Sequence, residues 1–459
     1  MGNRPNFRKI TGGGRESVGT FMAFLENVWW LLVLIGVMIL VHELGHFWAA
    51  KHFDVKVEAF SFGFGPRLFG FRKGETDFRF SLILFGGYVK MAGEQVGDEN
   101  VNDPRSFLSK PRWQRLIIAF AGPAMNVVLA VVLVTGLFSN RFPKITMTHS
   151  PVVGFVTPDG AAKKAGIREG DRILKVEEIV NPTWEDISLK EVSSARRTVT
   201  VEVERDDKSK STIAITPVLD EKNGIGIIGW AEQAPVRIAR VSAGAEAERV
   251  GLQAGDLFVS ANGQRISSTP KLHQVMKESN GGPVEIVYLR EGKEGRVTAT
   301  PALKDVGGQT RYVIGVELES QVTYVSLPLP QAFVESVRAN VRNAGLIFQF
   351  LKGIVERRMS PKSLEGPIRI AQISTEAAKE GPSSFLGLMA MVSLNLAIFN
   401  LLPIPILDGG VILMLLIEMF IRRDLSLQLK ENVFKVGFVF LMMVVVFVLY
   451  NDITKLMAS

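Results

Sequence analysis

Four long apolar segments are separated by polar sequence along the chain of 459 residues. They cover residues 28–50, 116–139, 385–407 and 436–450. A helix of about 20 apolar residues spans the hydrocarbon core of a bilayer, and the shorter last segment can be extended by the long side chain of Lys435. The pattern predicts a polytopic α-helical membrane protein with four transmembrane helices.

The region between the second and third apolar segments is charged, glycine-rich and rich in strand-forming residues. It contains an internal repeat: Ala-Gly-Ile-Arg-Glu-Gly-Asp-Arg-Ile at residues 165–173 returns as Val-Gly-Leu-Gln-Ala-Gly-Asp-Leu-Phe at residues 250–258, 85 positions later. An interval of this length fits a small domain rather than a solenoid unit. We therefore predict two tandem α+β domains, at residues 146–220 and 221–305.

The remaining segments are assigned by composition. Residues 1–20 are polar and glycine-rich, and we interpret them as a disordered extension or a cloning remnant. Within residues 21–140, the loop between the first two spans alternates aromatic and polar positions, which predicts a membrane-associated β-hairpin with a turn at Gly86 and Gly87. An ordinary cytoplasmic hairpin fits this pattern equally well.

Residues 321–384 are predicted to form an amphipathic helical bridge to the last two spans, within residues 385–459.

Basic residues are concentrated in the loop at residues 51–115. By the positive-inside rule this loop faces the cytoplasm, and four spans then place the tandem domains and both termini on the opposite side. The basic residues before Glu26 argue weakly for the reverse orientation. The net charge of +7 forms no basic stripe with interleaved aromatic residues, so no nucleic-acid partner is expected.

The first apolar segment ends in His42-Glu43-Leu44-Gly45-His46. Residues four apart share one helix face, so His42 and His46 can bind one metal ion while Glu43 lies beside them, as in the HExxH motif of zinc hydrolases. The motif also occurs by chance. Ionisable groups are unfavourable in a membrane-length segment, however, and there they mark a functional site by default.

The third zinc ligand has few candidates, because the chain has five histidines and no cysteine. A catalytic zinc needs three protein ligands and an open position for water. One further histidine follows His46 too closely to share its helix face, and two lie in the soluble region: His52, His149 and His273.

Three carboxylates remain within apolar segments. Glu26 lies at the far end of the first helix, and Glu418 lies in an ordinary amphipathic pattern. Asp408 combines a broken helix, flanking glycines and the same predicted membrane depth as the histidines. We therefore predict Asp408 as the third ligand, with a helix-capping aspartate as the alternative.

The second and third apolar segments are both interrupted. Gly122, Pro123 and Asn126 break the second, and such breaks are tolerated where a helix is buried in protein, which favours a site-facing segment. Gly and Pro are also common in membrane helices, which is the simpler explanation. In residues 400–410, Asn-Leu-Leu-Pro-Ile-Pro-Ile-Leu-Asp-Gly-Gly, two prolines stop regular helix hydrogen bonding and let an unwound segment line a cavity.

Together these motifs resemble the site-2 protease family. The resemblance rests on HExxH at residues 42–46, G-P-x-x-N at residues 122–126 and N-x-x-P-x-P-x-x-D-G at residues 400–409. The tandem repeats between them resemble bacterial PDZ domains, although the first copy lacks the Asn-Gly turn that the second has at residues 262–263. The tandem arrangement resembles the branch that regulates the bacterial sigma-E envelope stress response.

The resemblance implies a zinc endopeptidase that hydrolyses peptide bonds within transmembrane segments of single-span proteins, such as anti-sigma factors or remnant signal peptides. It implies His42, His46 and Asp408 as Zn²⁺ ligands, Glu43 as the catalytic acid–base and Asn400 as a substrate-orienting residue. The implied location is the bacterial inner membrane, with the active site near the cytoplasmic side of the bilayer. The PDZ domains would then be periplasmic and either bind peptides or act as a steric gate.

A helical substrate must be unwound before its scissile carbonyl can be attacked, and an edge strand can hold it extended by main-chain hydrogen bonds. The resemblance implies that the hairpin around residues 80–91 pairs with the unwound substrate, and we predict that Asn126 also binds substrate. The hairpin residues assigned to substrate binding are Arg79, Phe80, Ser81 and Leu82.

Two other functions are alternatives to proteolysis. A non-enzymatic PDZ scaffold would carry a structural zinc, which is normally closed by four protein ligands, whereas the chain offers three at membrane depth. A metal transporter would need more polar residues along the spans than this sequence has. Both functions are therefore disfavoured.

Overall fold

The computed structural model describes residues 13–94, 103–140, 142–145, 151–220, 225–306, 309–319, 322–356 and 365–457. His149 lies outside these residues, as do residues 1–12 of the predicted extension. The chain forms two compact units. The first unit comprises Met1–Phe142, Val325–Ile347 and Leu364–Ser459, and the second comprises Pro143–Tyr324 and Phe348–Ser363.

The described helices are α1 (Gly13–His52), α2 (Arg112–Ser139), α3 (Ala161–Ala165), α4 (Trp184–Ser193), α5 (Glu246–Arg249), α6 (Thr269–Glu278), α7 (Leu329–Val355), α8 (Pro367–Glu380), α9 (Pro382–Asn400), α10 (Asp408–Ile421) and α11 (Leu427–Met457). The described strands are β1 (Val57–Lys73), β2 (Thr76–Met91), β3 (Phe142–Ile145), β4 (Val153–Val156), β5 (Arg172–Val176), β6 (Ile179–Val180), β7 (Val199–Glu204), β8 (Lys210–Ile215), β9 (Val218–Asp220), β10 (Ile225–Ile227), β11 (Trp230–Glu232), β12 (Ile238–Val241), β13 (Leu257–Ala261), β14 (Gln264–Arg265), β15 (Val284–Arg290), β16 (Lys293–Ala299), β17 (Ala302–Val306), β18 (Gln309–Val313), β19 (Val316–Leu318) and β20 (Val322–Val325).

Four of the described helices are long and apolar enough to cross a membrane, which confirms the polytopic helical class. The spans are Phe24–His52, Arg112–Ser139, Pro382–Asn400 and Gln428–Lys455. The last is longer than predicted, because α11 continues through the charged residues on both sides of its apolar run. Residues 13–20 were predicted to be disordered but belong to α1, since no proline lies between them and the apolar segment.

Helices α1, α2 and α9 pack closely in the first unit. A Cβ atom at Gly45 of α1 would lie 2.2 Å from the carbonyl oxygen of Ala121, so only glycine allows this approach of α1 to α2. Helix α9 is joined to α2 by Ser393, whose hydroxyl donates to the backbone carbonyl of Asn126 at 2.9 Å. These contacts place the interrupted part of α2 between α1 and α9.

The turn of the β1–β2 hairpin lies at Gly74 and Glu75, where Lys73 pairs with Thr76. The predicted turn at Gly86 and Gly87 is wrong, because both glycines lie inside β2. Gly74 has a φ of 63°, the left-handed backbone that a two-residue hairpin loop requires.

Strand β1 bends at Gly63, where φ is 96°, and consequently pairs with β2 more than once. Residues 57–62 pair with residues 77–80 on one side and with residues 87–91 on the other. Residues 67–73 then pair with the opposite edge of residues 77–80. The hairpin is thus a curled sheet in which residues 77–80 form an inner strand.

The second unit contains two copies of one arrangement, as the sequence repeat predicts, but the copies end later than residues 220 and 305. Strand β11 pairs with β4, so the first copy extends to Glu232, and β19 pairs with β12, so the second copy extends to Leu318. The first copy has the antiparallel sheet β6-β5-β7-β8 with helix α4, and the second has β14-β13-β15-β16 with helix α6. Each has its own core, centred on Ile173 and Val201 in the first copy and on Phe258 and Ile286 in the second.

The missing Asn-Gly turn of the first copy does not change its fold. Glu177 occupies the corresponding turn with a φ of 52°, close to the 47° of Asn262 in the second copy.

The predicted bridge at residues 321–384 contains helices α7 and α8, although residues 357–364 lie outside the described part.

Candidate metal centre

Three side chains meet between α1 and the first residue of α10. The Nε2 atoms of His42 and His46 lie 3.2 Å apart. Asp408 places one carboxylate oxygen 3.1 Å from Nε2 of His42 and the other 3.5 Å from Nε2 of His46. Among the described residues, this is the one group of three or more metal-ligating side chains close enough to share an ion.

The geometry of these three residues fits zinc. Nitrogen and oxygen ligands bind Zn²⁺ at about 2.0–2.2 Å, so the ligand atoms of a tetrahedral site lie about 3.3 Å from one another. The observed separations of 3.1, 3.2 and 3.5 Å match that edge length. Asp408 does not act as a helix cap here, because Leu407 is the N-cap residue of α10.

His46 is oriented by α2. Its Nδ1 atom lies 2.8 Å from the carbonyl oxygen of Ile118, so Nδ1–H donates there and Nε2 keeps its lone pair for a metal. Pro123 has no N–H, which loosens helix hydrogen bonding in the turn before it. Gly122 makes room for the ring, because a Cβ atom there would lie 2.2 Å from Nε2 of His46.

Asn126 lies behind His42, fully buried. Its amide is 3.3 Å from Nδ1 of His42. A histidine that binds metal through Nε2 carries its proton on Nδ1, so the amide oxygen must face the ring. That orientation also gives the oxygen a partner, which it otherwise lacks among the described atoms. Asn126 does not line the cavity beside the metal ligands, so its predicted direct contact with substrate does not fit this geometry.

Glu43 faces the same cavity as His42, His46 and Asp408. This cavity has a volume of about 390 Å³. The carboxylate of Glu43 lies beside the backbone of Val89 in β2. Gly87 lets β2 approach this closely, since a Cβ atom there would lie 3.2 Å from Cγ of Glu43. Asn400, the last residue of α9, also lines the cavity. The predicted acid–base residue and the predicted orienting residue therefore share one cavity with the three candidate metal ligands.

The hairpin residues predicted to bind substrate lie away from this cavity. Residues 79 and 80 belong to the inner strand 77–80, which is paired on both sides and has no edge for another strand. Ser81 is fully buried, with its hydroxyl 2.9 Å from that of Ser61, and Leu82 is exposed on the distal part of the hairpin. The strand segment beside the site is residues 87–91, of which Tyr88, Val89 and Met91 line the cavity.

Buried charges form the far wall of the cavity, and the amphipathic pattern assigned to Glu418 is wrong. Glu418 of α10 is fully buried and lies 2.6 Å from Nζ of Lys430 on α11. Arg115 of α2 is 3.1 Å from Asp424 and 3.9 Å from Glu418. The sequence signal for this cluster was a glutamate within an apolar helix, Glu418, with a lysine on the next helix, Lys430. Charges buried in a membrane segment require partners.

The sequence matches the model of Peptidase family M50 over residues 30–444. The chain belongs to peptidase family M50. It is a metalloprotease, which sets aside the scaffold and transporter alternatives.

Relatives of this M50 chain match nearly its whole length. A putative zinc metalloprotease of Xylella fastidiosa (strain Temecula1) is 31% identical over 453 residues, covering 94% of this chain and 99% of its own. The regulator of sigma-E protease RseP of Salmonella typhimurium (strain 14028s) is 30% identical over 461 residues, covering 95% and 100%. A PDZ domain of the SdrC-like protein from Listeria monocytogenes matches 18% of this chain and 85% of its own at 25% identity, with a TM-score of 0.17.

Proposed function

We propose that this metalloprotease is a zinc-dependent intramembrane endopeptidase that cleaves within the transmembrane segments of single-span membrane proteins. The observation that carries the proposal is the meeting of Glu43 with His42, His46 and Asp408 around one cavity. His42, Glu43 and His46 lie on a helix of membrane-spanning length. Relatives named regulator of sigma-E protease support a role in regulated intramembrane proteolysis. We propose anti-sigma factors or remnant signal peptides as the substrates.

His42, His46 and Asp408 would hold a zinc ion and leave one of its coordination positions open. When bound, the ion would supply a Lewis acid for the scissile carbonyl and would lower the pKa of a water molecule towards about 7. Glu43 takes the proton from the attacking water and delivers it to the leaving amine nitrogen. The Val89 backbone lies beside the Glu43 carboxylate, and Asn126 holds the ring of His42.

Asn400 is proposed to orient the substrate. Its side chain lies at the end of α9, where the helix stops before Pro403, and it faces the same cavity as Asp408. An amide N–H at this position can donate to the substrate carbonyl oxygen as negative charge develops there.

The substrate strand is proposed to lie along residues 87–91 instead of residues 79–82. Among the described strands, residues 87–91 pair with β1 on one side only, and three of them face the cavity. An unwound segment added at that edge would place its backbone beside Glu43. Substrates with helix-destabilising residues near the scissile bond are therefore expected to be cleaved faster.

The proposed location is the bacterial inner membrane, with the hairpin and active site towards the cytoplasm. The excess of lysine and arginine in residues 51–115 supports this orientation. The two repeats are then periplasmic PDZ domains that recognise peptides or restrict access to the site.

The test is cleavage of a truncated single-span substrate by the purified protein, with and without a metal chelator. Glu43→Gln is expected to retain zinc and lose cleavage, because an amide cannot accept the proton. Glu26→Gln is the matched control, since Glu26 lies 17 residues earlier on α1, about 25 Å away, and pairs with Lys379. Wild-type cleavage by Glu43→Gln, or cleavage that survives complete removal of zinc, would overturn the proposal.

A further inference from the structure

A partly buried carboxylate in the first repeat is held by two neutral N–H groups. Glu191 lies near the end of α4, and its Oε1 accepts from the backbone N–H of Ile228 at 2.5 Å. Its Oε2 accepts from the indole Nε1–H of Trp230 at 2.8 Å. Burial raises the pKa of this carboxyl group, although these hydrogen bonds act in the opposite direction.

The backbone of Glu191 also closes the space between helix α4 and strand β10, and its carboxylate ties the two together through Ile228, the residue after β10. A Cβ atom at Gly226 would lie 2.3 Å from the backbone oxygen of Glu191 and 2.9 Å from the backbone nitrogen of Ala195. Helix and strand backbones therefore touch at this point. An added peptide strand needs about 4.8 Å on each side, so none fits between them while this contact persists.

The second repeat differs at the corresponding positions. Helix α6 stands 85 positions after α4, so Met276, which is buried and carries no charge, takes the place of Glu191. Ile314 takes the place of Ile228. The carbonyl of Ile314 accepts from the N–H of Ala247, and the carbonyl of Ile228 accepts from the N–H of Ala162; each alanine lies at the start of a short helix. The internal carboxylate is thus a property of the first repeat.

We propose that Glu191 is an internal ligand that closes the first repeat to peptides, occupying N–H groups that would otherwise bind the carboxylate of a partner's C-terminus. A terminal carboxylate offers the same two acceptor oxygens and can bind only in place of Glu191. This inference rests on the proposed role of the repeats as PDZ domains. It follows that the first repeat does not bind peptides in the resting chain, whereas the second repeat lacks this internal carboxylate.

The experiment uses the full chain labelled with 5-fluorotryptophan, with the Trp230 ¹⁹F resonance assigned by its loss in Trp230→Phe. Glu191→Ala is titrated first with acetate and then with a degenerate octapeptide mixture, supplied with either free or amidated C-termini. We expect acetate and the free-carboxylate peptides to shift the Trp230 resonance in Glu191→Ala, with at least tenfold weaker binding of the amidated peptides. Wild type and Glu278→Ala, which removes an exposed glutamate at the end of α6, should show no shift at the same concentrations.

Two results would overturn the proposal. One is a wild-type Trp230 resonance that responds to free-carboxylate peptides as strongly as that of Glu191→Ala. The other is a Glu191→Ala resonance that fails to distinguish free from amidated peptides, which would leave Glu191 a purely structural role. If Glu191→Ala does not fold, Glu191→Gln replaces it, because its amide keeps one acceptor oxygen and leaves one N–H donor unpaired. Cleavage of a single-span substrate by the same preparations reports separately on the proposed protease function.

Discussion

Gly122 is the residue whose replacement should most directly remove the metal site. It lies on α2 with its Cα facing the ring of His46, and the Cβ atom of an alanine would stand 2.2 Å from Nε2 of that ring. Nε2 is the atom that points towards Asp408 and His42. The Gly122→Ala substitution therefore places a methyl group against the ligand atom itself.

The size of the effect follows from two distances. Non-bonded heavy atoms pack at about 3.5–4.0 Å, so the ring of His46 or the backbone of α2 must move by more than about 1 Å. Zinc sites tolerate departures of about 0.2 Å in their bond lengths. We therefore expect at least a 100-fold loss of zinc affinity, about 2.8 kcal/mol, with a fold stability lowered by about 1–3 kcal/mol through overpacking.

The assay is competition for zinc between the purified protein and a fluorescent chelator, with bound metal counted by mass spectrometry. Gly136→Ala is the matched control, because it makes the same change on the same helix where a Cβ atom would meet nothing within 4 Å. Gly136→Ala should bind zinc as the wild type does. Wild-type zinc affinity in Gly122→Ala would refute the placement of the His46 ring against α2.

Three further predictions concern the ligands and the hairpin. Asp408→Ala should lose zinc, as measured by metal content, and an unchanged zinc content would exclude Asp408 as a ligand. Asn126→Ala should weaken zinc binding about 10- to 100-fold, because the His42 ring loses the partner that fixes its tautomer; an unchanged affinity in the chelator competition would contradict that role. Hydrogen bonds from Arg105 and then Lys51 lower the pKa of Glu75 from 4.5 to about 2. Because the folded-state pKa is lowered, this carboxylate stabilises the hairpin above about pH 4.5 and progressively less as the pH falls towards 2. The thermal midpoint of the wild type should consequently fall more steeply over that range than that of Glu75→Gln, and parallel curves would reject the assignment.

The elements that sequence predicted well depend on short-range rules. The four spans follow from apolar runs of bilayer length, and His42 and His46 share a face because they are four residues apart on a helix. Asp408 was found because the chain has few intramembrane carboxylates and because prolines interrupt the helix before it. The internal repeat predicted two similar folds, since each copy carries the same glycine and aspartate positions.

The features that sequence missed depend on the path of the chain in space. A period-two pattern identifies a strand but not which strands flank it, so the bend at Gly63 and the inner position of residues 77–80 were not predictable. Glu418 looked solvent-facing because Lys430, its partner, lies on the next helix. Asn126 was recognised as a polar residue in a span, but whether it faces substrate or a ligand depends on the rotation of α2 against α1.

The contribution of α10 to the metal centre affects when the enzyme becomes active during its own synthesis. Two imidazoles are made with the first helix, whereas the carboxylate that completes the cluster is added after about nine-tenths of the polypeptide. Two ligands fall short of the three that a catalytic zinc requires. With the proposed ligand set, a nascent chain cannot hold a catalytic zinc until α10 has been made, and a chain truncated before residue 408 is expected to have no protease activity.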